Sequence, residues 1–207
     1  EIKLRLTEGQ YGEIYKEEII GEKKVLFNIP KEIYDSKTIN LNKTVTDGKL
    51  KVDIKDLKIV NCHLGQGASI CAIKNGESVE TSMGLTPLGG IPMGTRSGDL
   101  DPSVVTYLMK KEGLDAEEIE EVLNRESGVY GISMVSVDFR DIEAEALAGG
   151  KHAKLALDAY HYSIAGYIAK CAVAMGGIDV LTFTAGVGEK SPYSRSEICK
   201  QLGVLGV

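Results

Sequence analysis

The sequence predicts an α/β fold, and three observations carry that expectation. Two apolar runs of strand length, at 57–62 and 178–184, each end in a glycine-rich turn. Between them lie four stretches with helical start and stop signals. A hairpin signature, Asn75-Gly76 between alternating runs, follows the first apolar strand. Strands that bracket helical segments are the pattern of a sheet layered with helices.

The elements follow in order. Residues 1–50 are rich in Lys, Glu, Ile and Tyr, with short alternating runs at 13–16 and 24–29, and with punctuation at Gly12, Gly21, Pro30 and Asp47-Gly48. They predict a β-rich segment at 1–50, ahead of a larger part at 51–207. Alternation at 49–54 predicts one more strand. The run 57–62 is continuously apolar on its far side, as a central strand covered on both faces should be. Residues 68–74 and 77–81 then pair across Asn75-Gly76, the strongest short hairpin signal. A glycine- and proline-punctuated loop spans 83–98.

Asp101-Pro102 starts a helix that stops at Glu112-Gly113, with the acid at the cap and proline in the first turn. A second helix starts at Asp115 and turns Ile119, Val122 and Leu123 to one face. A third is expected at 138–148. A long fourth spans 151–175, with Leu155, Leu157, Ala159, Ile164, Ile168 and Ala172 on its apolar side and Gly176-Gly177 behind it. The strand 178–184 runs into the glycine turn Ala185-Gly186-Val187-Gly188-Glu189, and Ser191-Pro192 opens a last helix.

Bulk properties exclude several function classes. The formal net charge is −6, and non-specific nucleic-acid binding needs a basic face. Cys62, Cys71, Cys171 and Cys199 lie far apart with no Cys-x-x-Cys pair. Their spacing predicts reduced, small buried hydrophobes rather than a disulfide framework or a zinc site. No signal peptide is visible, and no apolar run reaches the roughly 18 residues of a membrane span. The expectation is a cytoplasmic protein with neither nucleic acid nor membrane as partner.

The two glycine turns point to an anion. Backbone N–H groups approach an anion closely where no Cβ intervenes, and ligands of α/β sheets sit at the carboxyl ends of strands. Arg96, between Gly94 and Gly98, offers a planar, permanently charged fork suited to phosphate. Neither turn is a Walker A motif, since no Gly-Lys-Ser/Thr follows. The residues alone suggest a nucleotide-dependent phosphotransferase.

Five motifs in order and in register carry a more specific resemblance. They are His63-Leu64-Gly65-Gln66-Gly67, Thr81-Ser82-Met83-Gly84-Leu85-Thr86-Pro87-Leu88, Met93-Gly94-Thr95-Arg96-Ser97-Gly98-Asp99, Asp138-Phe139-Arg140-Asp141 and Phe183-Thr184-Ala185-Gly186-Val187-Gly188-Glu189. From about residue 57 to 207 the chain resembles the acetate kinase family, of the actin- and hexokinase-like ATPase superfamily. The resemblance implies a ribonuclease-H-like (actin-like ATPase) domain, with a mixed sheet flanked by helices. It also implies transfer of the ATP γ-phosphoryl group to acetate, giving acetyl phosphate and ADP with Mg2+, in a homodimer.

Residue by residue, the resemblance implies that His63, Leu64, Gly65, Gln66 and Gly67 hold the nucleotide phosphates. Arg96 and His63 would then act at the transferring phosphoryl group. Asp138, Phe139 and Arg140 would contact adenosine, as would Gly186, Val187, Gly188, Glu189 and Lys190. Pro87 would line the acyl pocket. No residue here is expected as a protein ligand to metal. Competing readings are a structural role for His63, a salt bridge from Arg96 to Asp99 or Asp101, helix capping and ion pairing for Asp138 and Arg140, and simple turn formation for Pro87.

The chain also departs from the family pattern. Gln66 and Lys190 each stand where the family usually has Asn. The family's Asn-x-Gly-Ser-Ser-Ser loop and its His-Arg-Val-Val-His-Gly-Gly, Phe-Asp-Thr-Ala-Phe-His and Gly-Phe-His-Gly-Thr-Ser-His motifs are not found. Nor is its Asn-Glu-Glu segment. Residues 51–207 are therefore expected to be the nucleotide-binding half of such a fold, truncated at its C-terminus. The alternative is a catalytically incomplete nucleotide-binding or scaffold fragment.

Overall fold

A computed structural model of the chain describes residues 57–205. The β-rich segment expected at 1–50 and the strand expected at 49–54 lie outside the described residues. The described residues form an α/β fold with a mixed sheet flanked by helices. Four strands, β1 (Lys58–Leu64), β2 (Ala68–Lys74), β3 (Glu77–Thr81) and β4 (Val180–Thr184), form one sheet in the order β3-β2-β1-β4. β1 and β4 are parallel, and β2 and β3 are antiparallel. The helices are α1 (Pro102–Glu112), α2 (Ala116–Arg125), α3 (Gly128–Ser133), α4 (Phe139–Leu147), α5 (Lys151–Met175), α6 (Ala185–Lys190) and α7 (Pro192–Gln201). None is long and apolar enough to cross a membrane.

The chain divides into two compact units. Among the described residues, one takes 57–64, Ile70–Thr81 and 165–205; the other takes Gly65–Ser69 and Ser82–Ile164.

In the first unit β1 is the central strand. Ile59, Val60, Cys62 and Leu64 are all buried, and burial of adjacent residues means both faces are covered. The register with β4 is pinned at its start, where the Lys58 N–H donates to Asp179 Oδ2 at 2.8 Å and the Asp179 N–H donates back to the Lys58 carbonyl at 2.8 Å. β1 runs two residues further than expected. His63 pairs with Thr184 in the ladder, so the glycine turn begins only at Gly65. The hairpin falls where Asn75-Gly76 places it. Both residues take left-handed φ, 58° and 80°, the mirror-image turn whose twist suits a hairpin.

Three of the four thiols lie in the packing of this unit. Cys62 and Cys171 are buried and Cys199 is half-buried, and all are free. Burial pushes the Cys62 thiol well above its usual range, Cys171 up to about 11 and Cys199 up to about 12. A thiol so raised stays protonated and inert at neutral pH.

In the second unit the helix starts follow the sequence signals. Asp101 caps α1 by accepting the Ser103 N–H at 2.8 Å, and Gly113 closes the helix in the left-handed conformation. Asp115 and Glu118 form a reciprocal capping box on α2, with both bonds at 2.9 Å. α3 was not expected. Six residues with Gly128 and Gly131 carry little helical signal, and tertiary bonds hold them.

α5 spans the expected 151–175, but of its expected apolar side Ala159 and Ala172 are only half-buried and Leu155 is exposed. The buried positions Ala153, Ala156, Leu157, Tyr160, Ile164, Ile168, Cys171 and Met175 follow the three- and four-residue spacing of one helix face. Leu155 lies off that stripe and is 57% exposed. Full burial of an Ile or Leu contributes roughly 1.5–3 kcal/mol, so Leu157, Ile164 and Ile168 fix the orientation of the helix and Leu155 does not.

Candidate active site

β1 and β4 run parallel, so their carboxyl ends lie at the same edge of the sheet in the first unit. There His63 Nδ1 lies 3.1 Å from Thr184 Oγ1. The His63 ring is exposed, whereas Leu64 is fully buried, as pleat alternation requires. Leu64 is thus a core residue whose contribution to any ligand is limited to backbone.

The second glycine turn is not a loop. Ala185 takes a left-handed φ of 65°, which ends the strand, and residues 185–190 then coil as the short helix α6. A non-glycine residue held at such a φ costs about 1–2 kcal/mol. Three hydrogen bonds brace this turn. The Ala185 N–H donates to Glu189 Oε1 at 3.0 Å. Arg195, 1% exposed, donates through Nη1 to the carbonyls of Gly188 and Glu189 at 2.9 and 2.7 Å. A guanidinium bound to the last carbonyls of a helix satisfies them and opposes the negative end of its dipole. Sequence reasoning missed Arg195, because a lone arginine on a polar helix reads as solvated. Gly186 and Lys190 are exposed, while Val187 and Gly188 are buried against the sheet.

In the second unit Arg96 lies beside the first glycine turn. Its Nη1 is 3.3 Å from the point where a Cβ on Gly67 would stand. Arg96 Nη1 also lies 3.7 Å from the Met93 sulfur. Among the described residues Arg96 makes no ion pair, so the salt bridge to Asp99 or Asp101 does not form. Asp99 instead accepts the Gly90 N–H at 2.8 Å, and Asp101 caps α1. Arg96, Gln66, Gly67, Thr95 and Val137 line an open pocket of about 640 Å³, with Glu117, Glu120, Glu121, Asn124 and Arg125 of α2 on another wall.

Backbone bonds from both sides hold the Arg96 segment. The N–H groups of Ser127, Val129 and Tyr130 donate to the carbonyls of Thr95, Met93 and Gly94 at 3.0, 2.9 and 2.9 Å. Ser97 N–H donates to Leu123 at 2.9 Å, and Thr95 Oγ1 donates to Asn124 at 2.9 Å. The first turn of α3 thus spends its orphan N–H groups on the arginine-bearing segment. Gly128 allows the close approach, with a φ of 62° and the Arg96 carbonyl 2.6 Å from the place of a Cβ.

Asp138 and Arg140 form the cap and ion pair of the competing reading. Asp138 Oδ1 accepts the Arg140 N–H at 2.9 Å and Nε at 3.0 Å. These bonds hold the Asp138 carboxyl down to about 2, with the side-chain bond the largest cause. The same bonds raise Arg140. Phe139 is 6% exposed, and its ring centroid lies 4.9 Å from that of Tyr160, so its side chain belongs to the packing. Pro87 is exposed in the loop after β3. Among the described residues no three His, Cys, Asp or Glu side chains are grouped to hold a metal ion.

Comparison with known proteins carries the family match ahead of residue 57, where the motifs placed its start. The family model described as the acetokinase family matches residues 38–207, and so starts ahead of the first motif. The acetate kinase of Thermotoga petrophila is 47% identical over 199 residues, which cover 91% of this chain and 49% of that protein. The crystal structure of Porphyromonas gingivalis acetate kinase superposes with a TM-score of 0.73 at 47% identity, covering 75% of this chain and 39% of that one. A propionate kinase from Francisella tularensis gives 0.70 at 39% identity, covering 72% and 38%. The chain spans about half the length of the curated relatives it matches. With the family model matching most of its length, and with motif order, sheet and helices agreeing, the chain belongs to the acetokinase family.

Proposed function

We propose that residues 51–207 are the nucleotide-binding half of a carboxylate kinase that moves the γ-phosphoryl group of ATP to acetate, giving acetyl phosphate and ADP. The observation that carries this reading is Arg96. Its guanidinium has no ion partner among the described residues and lies against the glycine turn, in a pocket of about 640 Å³. In phosphoryl transfer, charge spreads over the equatorial oxygens, and catalysis is mainly positioning and electrostatic stabilisation. A fixed fork of donors is suited to that charge.

The residues fit a nucleotide. Gly67 leaves room for the arginine where a Cβ would intrude. His63 presents an exposed ring beside Thr184. In the tautomer in which Nδ1 accepts from the Thr184 hydroxyl, Nε2 carries the proton and can donate to a phosphoryl oxygen. Leu64, Gly65 and Gly67 contribute backbone to the phosphates. Asp138, Arg140 and Phe139, the last through backbone, are assigned to the adenosine side. So are Gly186, Val187, Gly188, Glu189 and Lys190. Pro87 is assigned to the acyl pocket. Magnesium, when bound, neutralises phosphate charge and arrives with the nucleotide, since it commonly keeps waters and uses substrate phosphates as ligands. A cytoplasmic homodimer belongs to the same reading, and sedimentation tests the dimer.

Calorimetric titration with MgATP in the absence of acetate tests the site, because MgADP lacks the phosphoryl group that Arg96 is assigned to. Arg96→Ala should weaken binding by about tenfold or more, as loss of a charged hydrogen bond does. Unchanged affinity would remove Arg96 from the phosphates. One observation favours a second reading, of a nucleotide-binding unit without turnover of its own: the 207 residues contain none of the family's acyl-side arginine and aspartate motifs. Acetyl phosphate formation by this chain with MgATP and acetate, at ordinary enzyme rates, would exclude it.

A further inference from the structure

We infer that Gln66 is a positioning residue, whose side-chain amide ties the glycine turn to the segment bearing Asp138 and Arg140 through space left by Gly94. The family resemblance puts an amide here among the groups that hold phosphates. In this chain the amide turns elsewhere. Gln66 Nε2 donates to the Val137 carbonyl at 2.6 Å, and Val137 directly precedes the α4 cap Asp138. The Gln66 backbone carbonyl accepts the Gly94 N–H at 3.1 Å. One residue thus joins the turn, the Arg96 segment and the start of α4, all within the second unit.

The fit depends on residue 94 having no side chain. Gln66 Oε1 occupies the space where a Cβ on Gly94 would stand. The length of the side chain matters as well. Asn is one methylene, about 1.5 Å, shorter. It cannot span to Val137 while its backbone stays bonded to Gly94. The tether rests on the nucleotide reading, in which it sets the spacing of phosphate-side and adenosine-side residues before the ligand arrives. Such preorganisation lowers the ordering cost of binding.

The test is calorimetric titration of the full chain with MgADP, using wild type, Gln66→Ala, Gly94→Ala and the double variant. Each single change should weaken binding about three- to tenfold, the worth of one hydrogen bond. In the Gln66→Ala background Gly94→Ala should add no further loss. The nearest remaining atom to the new Cβ is then the Gln66 backbone oxygen at 3.4 Å, an ordinary contact. Gln66→Met, which keeps length but cannot donate, should match Gln66→Ala.

Equal losses from Gly94→Ala in both backgrounds overturn the tether. So does a Gln66→Ala protein that melts earlier yet binds MgADP as wild type does, which is the mark of a merely structural role. A wild-type chain that binds no MgADP overturns the nucleotide reading and the positioning role with it. Wild-type binding with unchanged variants overturns the positioning role alone.

Discussion

Arg96 carries the charge that the proposed chemistry needs, and Gly128 keeps it in place. The carbonyls of Met93 and Arg96 both crowd the position where a Cβ on Gly128 would stand. Gly128→Ala should therefore destabilise the protein by at least about 2 kcal/mol, through left-handed strain plus a backbone clash. A urea midpoint unchanged from wild type would show that α3 does not clamp the segment. Asp138 gives a pH signature. Its folded carboxyl is held at about 2 by Arg140, below the unfolded value near 4. Its contribution is then fully present above about pH 4 and is lost as pH falls through about 2. The stability difference between wild type and Asp138→Asn should be flat from pH 7 to 4 and shrink below that. A carboxyl carbon titration by NMR with its midpoint near 4 would remove the ion pair.

At the scale of elements, α6 shows how a strand end becomes a rigid turn. Ala185 breaks the strand by left-handed φ, and Arg195 fixes the far end through two carbonyls. Gly186 is exposed, and a Cβ there meets nothing within 4 Å. Gly186→Ala should stabilise the free protein by about 0.5–1 kcal/mol, since alanine is favoured over glycine in a helix. If a nucleotide packs on this backbone, the same change lowers MgADP affinity. Thermal melting and calorimetry on one variant separate the two effects, and a melt below that of wild type would contradict the open surroundings. Arg195→Met, which keeps bulk but leaves two carbonyls unsatisfied, should cost about 1–3 kcal/mol. Denaturant unfolding measures it.

At the scale of the whole molecule, the sheet joins residues far apart in sequence. β1 pairs with β4 across 121 positions, as at Lys58 and Asp179. Contacts so distant cost loop-closure entropy before they return stability. Removal of residues 178–207 would leave buried β1 as an apolar edge strand, a template for association. The shortened chain should elute as aggregate in size-exclusion chromatography, and a folded monomer would show that β4 is dispensable. Cys171 and Cys199 add an alkaline dependence to stability. Their folded values are raised, to about 11 for Cys171 and about 12 for Cys199. Their contribution is therefore present below the usual thiol value near 8.5 and is lost as pH rises toward those values. Cys199→Ala should flatten the fall in stability between pH 9 and 11 by about one proton.

Much of this was legible in the residues. Asp101-Pro102, Asp115 with Glu118, Asn75-Gly76 and Ser191-Pro192 act within a few positions of the backbone, so local chemistry placed α1, α2, the hairpin and α7. The motifs around His63, Arg96 and Asp138 marked the family because their order survives in the chain itself. Other features could not be read there. α3 exists because its N–H groups meet the carbonyls of residues 93–95, and its sequence carries little propensity of its own. Arg195 looks like an ordinary polar residue, and Gln66 like a phosphate-side amide, until the fold supplies their carbonyl partners. Short-range capping and turn preferences are intrinsic to a sequence. Which carbonyl a long side chain reaches, and where a missing Cβ makes room for it, depends on segments far apart in the chain that only folding brings together.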